Sequence, residues 1–583
     1  MKRFILHALV FSKLISQELS ESLITLMDKS FIKNDLHYHL TPLLLEIAKN
    51  GNNFNSEKKY ELQKWGFNFN SPLVSRNKTK RSESNGLDKS YDIGLIRLHY
   101  TTSGYHAVNN SDINENNIPD YIDSVAIVFK NVTNTLHNKM GYLLPPSDGH
   151  YSSIRDKGGS EHYDVYIRNL SSRYYGYVQP EEFAQGNGDN EQSTILKEVN
   201  AFTSYMAIRN NYKNFPLNNL NALKVTIAHE YYHAIQFGYD GWEKPWLLES
   251  SAVWMEEEIY DEINDCYQYM KEWFDFPHRS LDESGYHWYG SFIFFEYIEQ
   301  HLGGNSIIRE ILNQSAIFDS REIDGSHLAI DKALNKLGHS FQKALNGMSI
   351  ANFIMSSRPN AGDFSYEEAD SYPINGPSIL KKVNFQMGNV DTIKSINLSR
   401  FGSEYIQIST ATPLQIDLEN LSGPFSDIQL NSIITKNDGS YLILSTPSVN
   451  IDPIDIKSIH LSVVSQDSLG SNWNYSLIIR DGKSGTNSNV PTDFKLTNPY
   501  PNPFNGLVKF SVYMLRESKV TIDVFDVAGR KVSRLHNNTL SSGNHNFTWY
   551  GKNISKNKLS SGIYYIKVAS DMNEEWKKVT FVK

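Results

Sequence analysis

Near residue 380 the pattern of the chain changes, and that change limits the available folds more than any other feature. Before it, residues 222 to 350 read as mostly helical, preceded by strand-like runs at Leu95 to Tyr100, Tyr163 to Ile167 and Phe202 to Ile208. Residues 91–355 therefore read as one α+β domain. After it come short β-rich runs broken by Gly, Pro, Asn and Asp, at Tyr405 to Ile408, Leu414 to Leu418, Tyr441 to Leu444, Ile459 to Val464 and Tyr475 to Ile479. That spacing predicts a β-sandwich over 380–482. Residues 483–493 have the Gly, Ser and Asn content of a flexible linker, and a smaller β unit follows over 494–583. A chain of 583 residues holds roughly three to four units of ~150 residues, so a single core is excluded.

The front of the chain is different again. Residues 18–90 are polar and loosely periodic, with a helical reading around Leu40 to Ala48, and they end in the basic cluster Arg76, Lys78, Lys80 and Arg81. A solvated charge run explains that cluster more simply than a processing site does. In Met1 to Gln17, Lys2 and Arg3 precede an apolar stretch that His7 and Lys13 interrupt, which makes it a poor signal peptide by its own pattern. No run approaches the ~20 apolar residues of a membrane span.

Composition removes several classes. With 56 basic against 65 acidic residues the formal charge is −9, so there is no overall footprint for a nucleic-acid backbone. The single cysteine, Cys266, rules out an intrachain disulfide and a Cys-rich zinc site. Any zinc must use His and carboxylate.

The segment LKVTIAHEYYHAIQ, residues 223–236, supplies them. It places His229 and His233 four apart on one helix face with Glu230 beside them, so two imidazoles can bind one Zn²⁺ while the glutamate reaches the water the metal activates. About 0.03 such triplets are expected by chance in a chain of this composition. Asn218 to Asn221 offer N-caps and Gly238 offers a stop. A catalytic zinc needs a third protein ligand. The metzincin pattern fails, because Tyr239 stands where its histidine belongs. Glu249, on a second helix that begins after Pro245, can face the first helix, although a simple interaction with its own helix N-terminus is the plainer reading of that residue alone.

HEYYHAIQFGYD followed by WLLESSAVWMEE resembles the gluzincins, in which HExxH is followed by a W-x-x-E-x-x-A helix that carries the third zinc ligand. The stretch from about Leu98 to Gly304 is similar to a family of secreted bacterial metalloproteases, through LHYTTSGYHAV, PDYIDSV, HYDVYI, TSYMAI and YHWYGSFIFFEYIEQHLGG. The resemblance implies a zincin-like catalytic domain acting on protein or peptide, with His229, His233 and Glu249 as zinc ligands and Glu230 as general base. It also implies a tyrosine or histidine oxyanion donor before a glycine. Tyr286, His287 and Tyr289, before Gly290, all fit, and the spacing does not choose between them.

Residues 112–123, DINENNIPDYID, set oxygen side chains at positions 1, 3, 5, 9 and 12 of a calcium-type loop: Asp112, Asn114, Asn116, Asp120 and Asp123, with the Ile118 carbonyl at position 7. Asn117 replaces the turn glycine, and Asp123 the bidentate glutamate, which weakens the expected affinity. A helix-capping loop rich in Asx turns is the competing reading.

Residues 494–583 alternate apolar runs with Asp-Val-Ala-Gly and Ser-Gly turns, the pattern of a small immunoglobulin-like sandwich. Through YPNPF (500–504), Gly529, Arg530, Trp549, GIY (562–564) and Lys583 the segment resembles the C-terminal sorting domain of the bacterial type IX (Por) secretion system; Gly506 departs from the common proline. The resemblance implies the type IX machinery as partner, and a secreted or surface-attached product reached through the periplasm of a Gram-negative-type cell. It implies in turn a signal peptide over residues 1–17 and a propeptide over 18–90, though no residue there is an evident ligand to block the zinc. The competing function is a non-enzymatic adhesin or carbohydrate-binding protein, motivated by abundant Tyr and Trp and two β modules. A serine hydrolase lacks its G-x-S-x-G elbow.

Overall fold

The computed structural model describes residues 40–583 apart from 65–66, 70–73, 77–83, 149–156, 171–173, 185–197, 199, 318–324, 358–361, 363, 421–426, 467–472, 485–493, 498, 515–516, 528, 556 and 571–573. The expected signal peptide, most of the linker and Lys78, Lys80 and Arg81 lie outside the described residues. The chain forms two compact units, one running to Trp273 and resuming at Asp282–Ala344, the other made of Phe274–Leu281 and Leu345–Lys583.

The first unit begins with helices α1 (Leu40–Asn50) and α2 (Ser56–Lys64) and the short strand pair β1 (Phe67–Asn68) and β2 (Ser75–Arg76). A five-stranded mixed sheet follows, built from β3 (Lys89–Ile93), β4 (Ile96–Tyr100), β5 (Tyr163–Arg168), β6 (Gly176–Phe183) and β7 (Phe202–Arg209) in the order β3-β4-β5-β7-β6. β4, β5 and β7 run parallel, and antiparallel β3 and β6 form the two edges. The central β5 and β7 are buried almost throughout; apolar and aromatic residues dominate them, with Asp164 in β5 and Thr203 and Ser204 in β7 buried among them. Helix α3 (Asp120–Thr133) connects β4 to β5.

Helix α4 (Asn219–Asp240) packs on β7 and β6 with one side and on α3 and α5 (Pro245–Tyr260) with others. Helices on several sides and a sheet below leave it buried nearly all round, so its Tyr, His and Glu residues are interior as well as its aliphatic ones. Asn218 caps its start, accepting the Asn221 N–H at 2.9 Å, and Pro245 opens α5 without forfeiting an intrahelical hydrogen bond. The expected stop at Gly238 is corrected: α4 runs on to Asp240, with the hydroxyl oxygen of buried Tyr239 accepting the Leu143 N–H at 3.0 Å, and Gly241 follows the end.

The described residues between 40 and 76 are integral to this unit. Leu40, Leu44, Ile47, Phe54, Leu62, Phe67 and Val74 share one core with Tyr166, Tyr174, Tyr177, Tyr205 and Ala207 of the sheet region. At about 1.5–3 kcal/mol for each large apolar side chain buried, this is the attachment of a structural layer. Lys49 adds a buried anchor, donating to the Glu243 carbonyl at 2.9 Å.

In the second unit, strands β8 (Ile379–Phe385) to β16 (Trp473–Asp481) make two sheets. Five strands contain Tyr441–Ser445, Ile428–Lys436, Ile456–Ser465, Ser403–Thr410 and Ile379–Phe385 in that order, and four contain Ser448–Ile451, Leu414–Asn420, Trp473–Asp481 and Asp391–Leu398. Ile406, Leu461 and Val463 from the first meet Ile416, Leu477 and Ile479 from the second in one core, giving the expected β-sandwich. All five expected runs are strands; the four others, at 379–385, 391–398, 428–436 and 448–451, went unrecognised.

His460 in this sandwich stacks on Phe353 with ring centroids 4.2 Å apart, and burial pushes its pKa down to about 4 from 6.5. Between those values the unfolded chain binds a proton that the folded sandwich refuses. Its contribution to stability is thus complete above pH 6.5 and lost as pH falls through 4. Denaturation of the full chain should show the sandwich weakening across that window, and His460→Gln should flatten the dependence; identical pH profiles would refute the assignment.

The C-terminal part, β17 (Phe494–Leu496) to β23 (Glu574–Phe581), pairs a three-stranded sheet with a four-stranded one ordered 531–540, 518–526, 562–569, 574–581. Val512, Val524, Trp549, Ile566 and Phe581 fill a shared core, so this too is a small β-sandwich.

Candidate metal centre

α4 and α5 bring His229, His233 and Glu249 to one point, each about 1% exposed. The two Nε2 atoms lie 3.0 Å apart, His233 Nε2 is 3.1 Å from Glu249 Oε1, and His229 Nε2 is 3.4 Å from Glu249 Oε2. Ligand bonds of about 2.0–2.2 Å around a tetrahedral ion set donor atoms about 3.3–3.6 Å apart; one edge of the triangle matches that span and the other two are about 0.2–0.3 Å shorter, a gap that a small outward movement of the side chains closes.

The outer nitrogens of both rings are tied. His229 Nδ1 lies 2.6 Å from Glu256 Oε1, and His233 Nδ1 lies 2.7 Å from Gln236 Oε1. Gln236 is itself oriented by its amide, which donates to the Leu248 carbonyl at 3.0 Å and the Ser251 hydroxyl at 2.9 Å. This network places the ring protons on Nδ1 and leaves each Nε2 with a bare lone pair. Two such lone pairs and a carboxylate converging without a proton among them repel, and a cation at their centre reverses the sign. The donor set therefore fits a zinc ion.

Glu256 and Gln236 were not recognised in the sequence. Their signals are spacing: Glu256 is seven residues after Glu249, nearly two full turns and so on the same face of α5, and Gln236 follows His233 by three. Gly176 lets β6 approach α4 closely. A Cβ there would lie 2.9 Å from Thr226 Cγ2 and 3.2 Å from Glu230 Cγ.

Tyr286, His287 and Tyr289 sit on a short helix, Tyr286–Gly290, that packs against α5. His287 and Tyr289 are buried, the first against Trp273 with centroids 4.5 Å apart and the second stacked on Tyr269 at 5.0 Å, while Tyr286 is half-buried. Tyr269 was missed: burial, then the carboxylates of Asp265, Glu256 and Glu249 among other groups, push its hydroxyl well above its ordinary pKa, so it is within electrostatic reach of the centre.

The 112–123 loop is a coil of Asx turns. Asp112 accepts the Asn116 and Asn117 N–H groups at 3.1 and 2.9 Å, Asn116 Oδ1 accepts the Ile118 N–H at 2.7 Å, and Asp120 accepts the Ile113 N–H at 2.9 Å. Asn117 has the positive φ, 67°, expected of a residue in the place of a glycine. The amides of Asn114 and Asn116 donate to Asp123 Oδ2 at 2.9 and 3.0 Å. Asp112, Asp120 and Asp123 do not converge as the His229 group does.

Comparison with known proteins bears on the other end of the chain. Residues 498–582 match the secretion system C-terminal sorting domain family. The small C-terminal sandwich is thus a type IX sorting domain, which implies a partner in the type IX secretion machinery and a secreted or cell-surface location. Among the described residues no helix is long and apolar enough to cross a membrane. No curated protein matches the chain. Solved structures similar to it include dimeric latent PorU from Porphyromonas gingivalis (13% identity, 34% of this chain and 19% of that one, TM-score 0.17). Others are a DUF4785 family protein from Legionella pneumophila (10%, 34% and 63%, TM-score 0.14) and a beta-1,2-glucanase from Parabacteroides distasonis (11%, 30% and 28%, TM-score 0.12). The chain spans about a fifth of the length of PorU, and likenesses at these TM-scores carry no argument.

Proposed function

We infer that the chain is an exported, gluzincin-like zinc peptidase acting on protein or peptide. One observation carries the reading: the Nε2 atoms of His229 and His233 and the Glu249 carboxylate converge at 3.0–3.4 Å with both Nδ1 atoms already committed. His229, His233 and Glu249 would hold the zinc, which when bound would supply Lewis acidity for the activation of water. Glu256 and Gln236 keep the two imidazoles turned toward the ion. Glu230 takes the water's proton and passes it to the leaving amine. Tyr286, His287 or Tyr289 supplies the oxyanion donor. In the same reading the 112–123 loop would hold calcium through Asp112, Asn114, Asn116, the Ile118 carbonyl, Asp120 and Asp123, which would require its Asx turns to rearrange.

Metal analysis of the purified full chain tests both sites. About one zinc per chain is expected, falling to a small fraction in Glu249→Ala, together with one calcium that Asp112→Ala removes without touching the zinc. A chain that takes up no zinc under non-chelating conditions sinks the peptidase reading; zinc without calcium sinks only the loop assignment.

A further inference from the structure

Residues 494–583 carry 14 Lys and Arg against six Asp and Glu, whereas residues 1–493 carry 42 against 59, so a chain with a formal charge of −9 ends in a module of +8. Such asymmetry points to a polyanionic partner for that module. Its four-stranded sheet offers the surface. Side chains alternate between faces along a strand, and Tyr564, Ile566 and Val568 turn into the core. The residues between them stand on the outer face, where the register sets two rows across all four strands. One row is Arg534, Asp523, Lys567 and Trp576; the other is Lys531, Phe525, Tyr565 and Lys578. Trp576 is 43% exposed and Tyr565 36%, high values for rings that a core could have taken. Phe525 meets Trp576 with ring centroids 5.1 Å apart, and the Lys567 ammonium lies 4.9 Å from the Trp576 ring centre. Asp523 is neutralised by Arg534, which donates to it at 2.7 and 2.8 Å. Half-exposed Glu574 accepts from Lys567 and, at 3.2 Å, from the Trp576 indole.

We propose that this outer face of the sorting domain binds an acidic polysaccharide, a chain of sugars bearing carboxylate groups. The proposal is independent of the metal centre. Open aromatic rings on a flat sheet give the C–H faces of sugar units a surface to stack on, Lys531, Lys567 and Lys578 around them pair with carboxylates, and Glu574 accepts from sugar hydroxyls. Neighbouring strands lie about 4.8 Å apart, close to the roughly 5 Å that one sugar unit adds to an extended chain, so a glycan laid across the sheet meets one strand per unit. Other polyanions fit less of the face. A nucleic-acid duplex uses the cations and leaves the rings idle, and a single strand that stacks on the rings brings its phosphates against Glu574. An anionic bilayer has to press the same carboxylate against its own headgroups. Each sugar contact is weak and screened by salt, and affinity comes from several made at once along one chain.

The experiment uses the full chain and sodium alginate, a linear polyuronate, at about 0.05 M salt, where surface charges are weakly screened. Neutral pullulan, single-stranded DNA and phosphatidylglycerol vesicles are run beside it. Retention by alginate and not by pullulan is expected. Lys578→Glu should weaken alginate binding about tenfold and Trp576→Ala about fivefold, while Trp576→Tyr, which keeps a ring on the face, stays within about twofold. Tyr565→Ala repeats the ring test should Trp576→Ala fail to fold. Lys509→Glu makes the same change of charge on the three-stranded sheet and should also stay within about twofold. No affinity for alginate, equal losses in Lys509→Glu and Lys578→Glu, or undiminished binding in the ring variants overturns the proposal. Tighter binding of the DNA or of the vesicles overturns it as well, by giving the face to another class of partner.

Discussion

Replacing Glu230 by Gln should leave about one zinc in the protein and lower kcat for peptide hydrolysis about 10²–10⁴-fold, with KM little changed. The carboxylate is buried on α4 beside both imidazoles, but it is not part of the convergent triangle, so the metal should not notice the exchange. An amide of the same shape cannot take a proton at neutral pH. The comparison requires identical treatment of both proteins. Loss of zinc in this variant would assign Glu230 to the metal instead, and undiminished hydrolysis would remove it from the chemistry.

The second large effect belongs to a residue that never touches the metal. Glu256→Gln should weaken zinc binding about 10–100-fold, because the 2.6 Å contact with His229 Nδ1 fixes both the tautomer and the ring plane. Gln keeps the volume and can still accept a hydrogen bond, so the loss measures the carboxylate's charge; Glu256→Ala, which also opens a gap beneath the ring, should lose more. Competition with a chelator of known affinity reads the difference. An unchanged dissociation constant in both variants would reduce Glu256 to packing.

The legible parts of this site were those whose meaning lies in local spacing. His229, Glu230 and His233 declare themselves because four residues nearly complete a helical turn, and Glu249 because Pro245 starts a second helix at the right distance. Glu256 obeyed the same arithmetic, but in the acidic run 256–258 any member reads as surface charge until the interior position of α5 is known. β6 was illegible for a different reason. GYVQPEEF has a proline and two glutamates where a buried strand would be apolar, and its cover comes from Thr41, 137 residues earlier. The reading of residues 18–90 looked there for a ligand to zinc and so passed over Thr41, whose hydroxyl donates to Glu230 Oε2. In the sandwiches, strands such as Ile379–Phe385 and Asp391–Leu398 carry exposed lysines, Lys381 and Lys382 in the first and Lys394 in the second, and pass for loops because few of their residues are buried and those depend on the facing sheet.

The core that residues 40–76 share with the sheet makes the order of events matter. Deleting these residues from the gene and cutting them away after folding leave the same covalent chain but present it with different problems. In the first case Tyr166, Tyr177 and Tyr205 must find their arrangement with one wall of their core missing. In the second the sheet and α4 are already assembled, and only a barrier to rearrangement need hold them. A chain cut after folding would then persist by its unfolding rate more than by its equilibrium stability, whereas the chain lacking these residues from the start would have to fold without that wall.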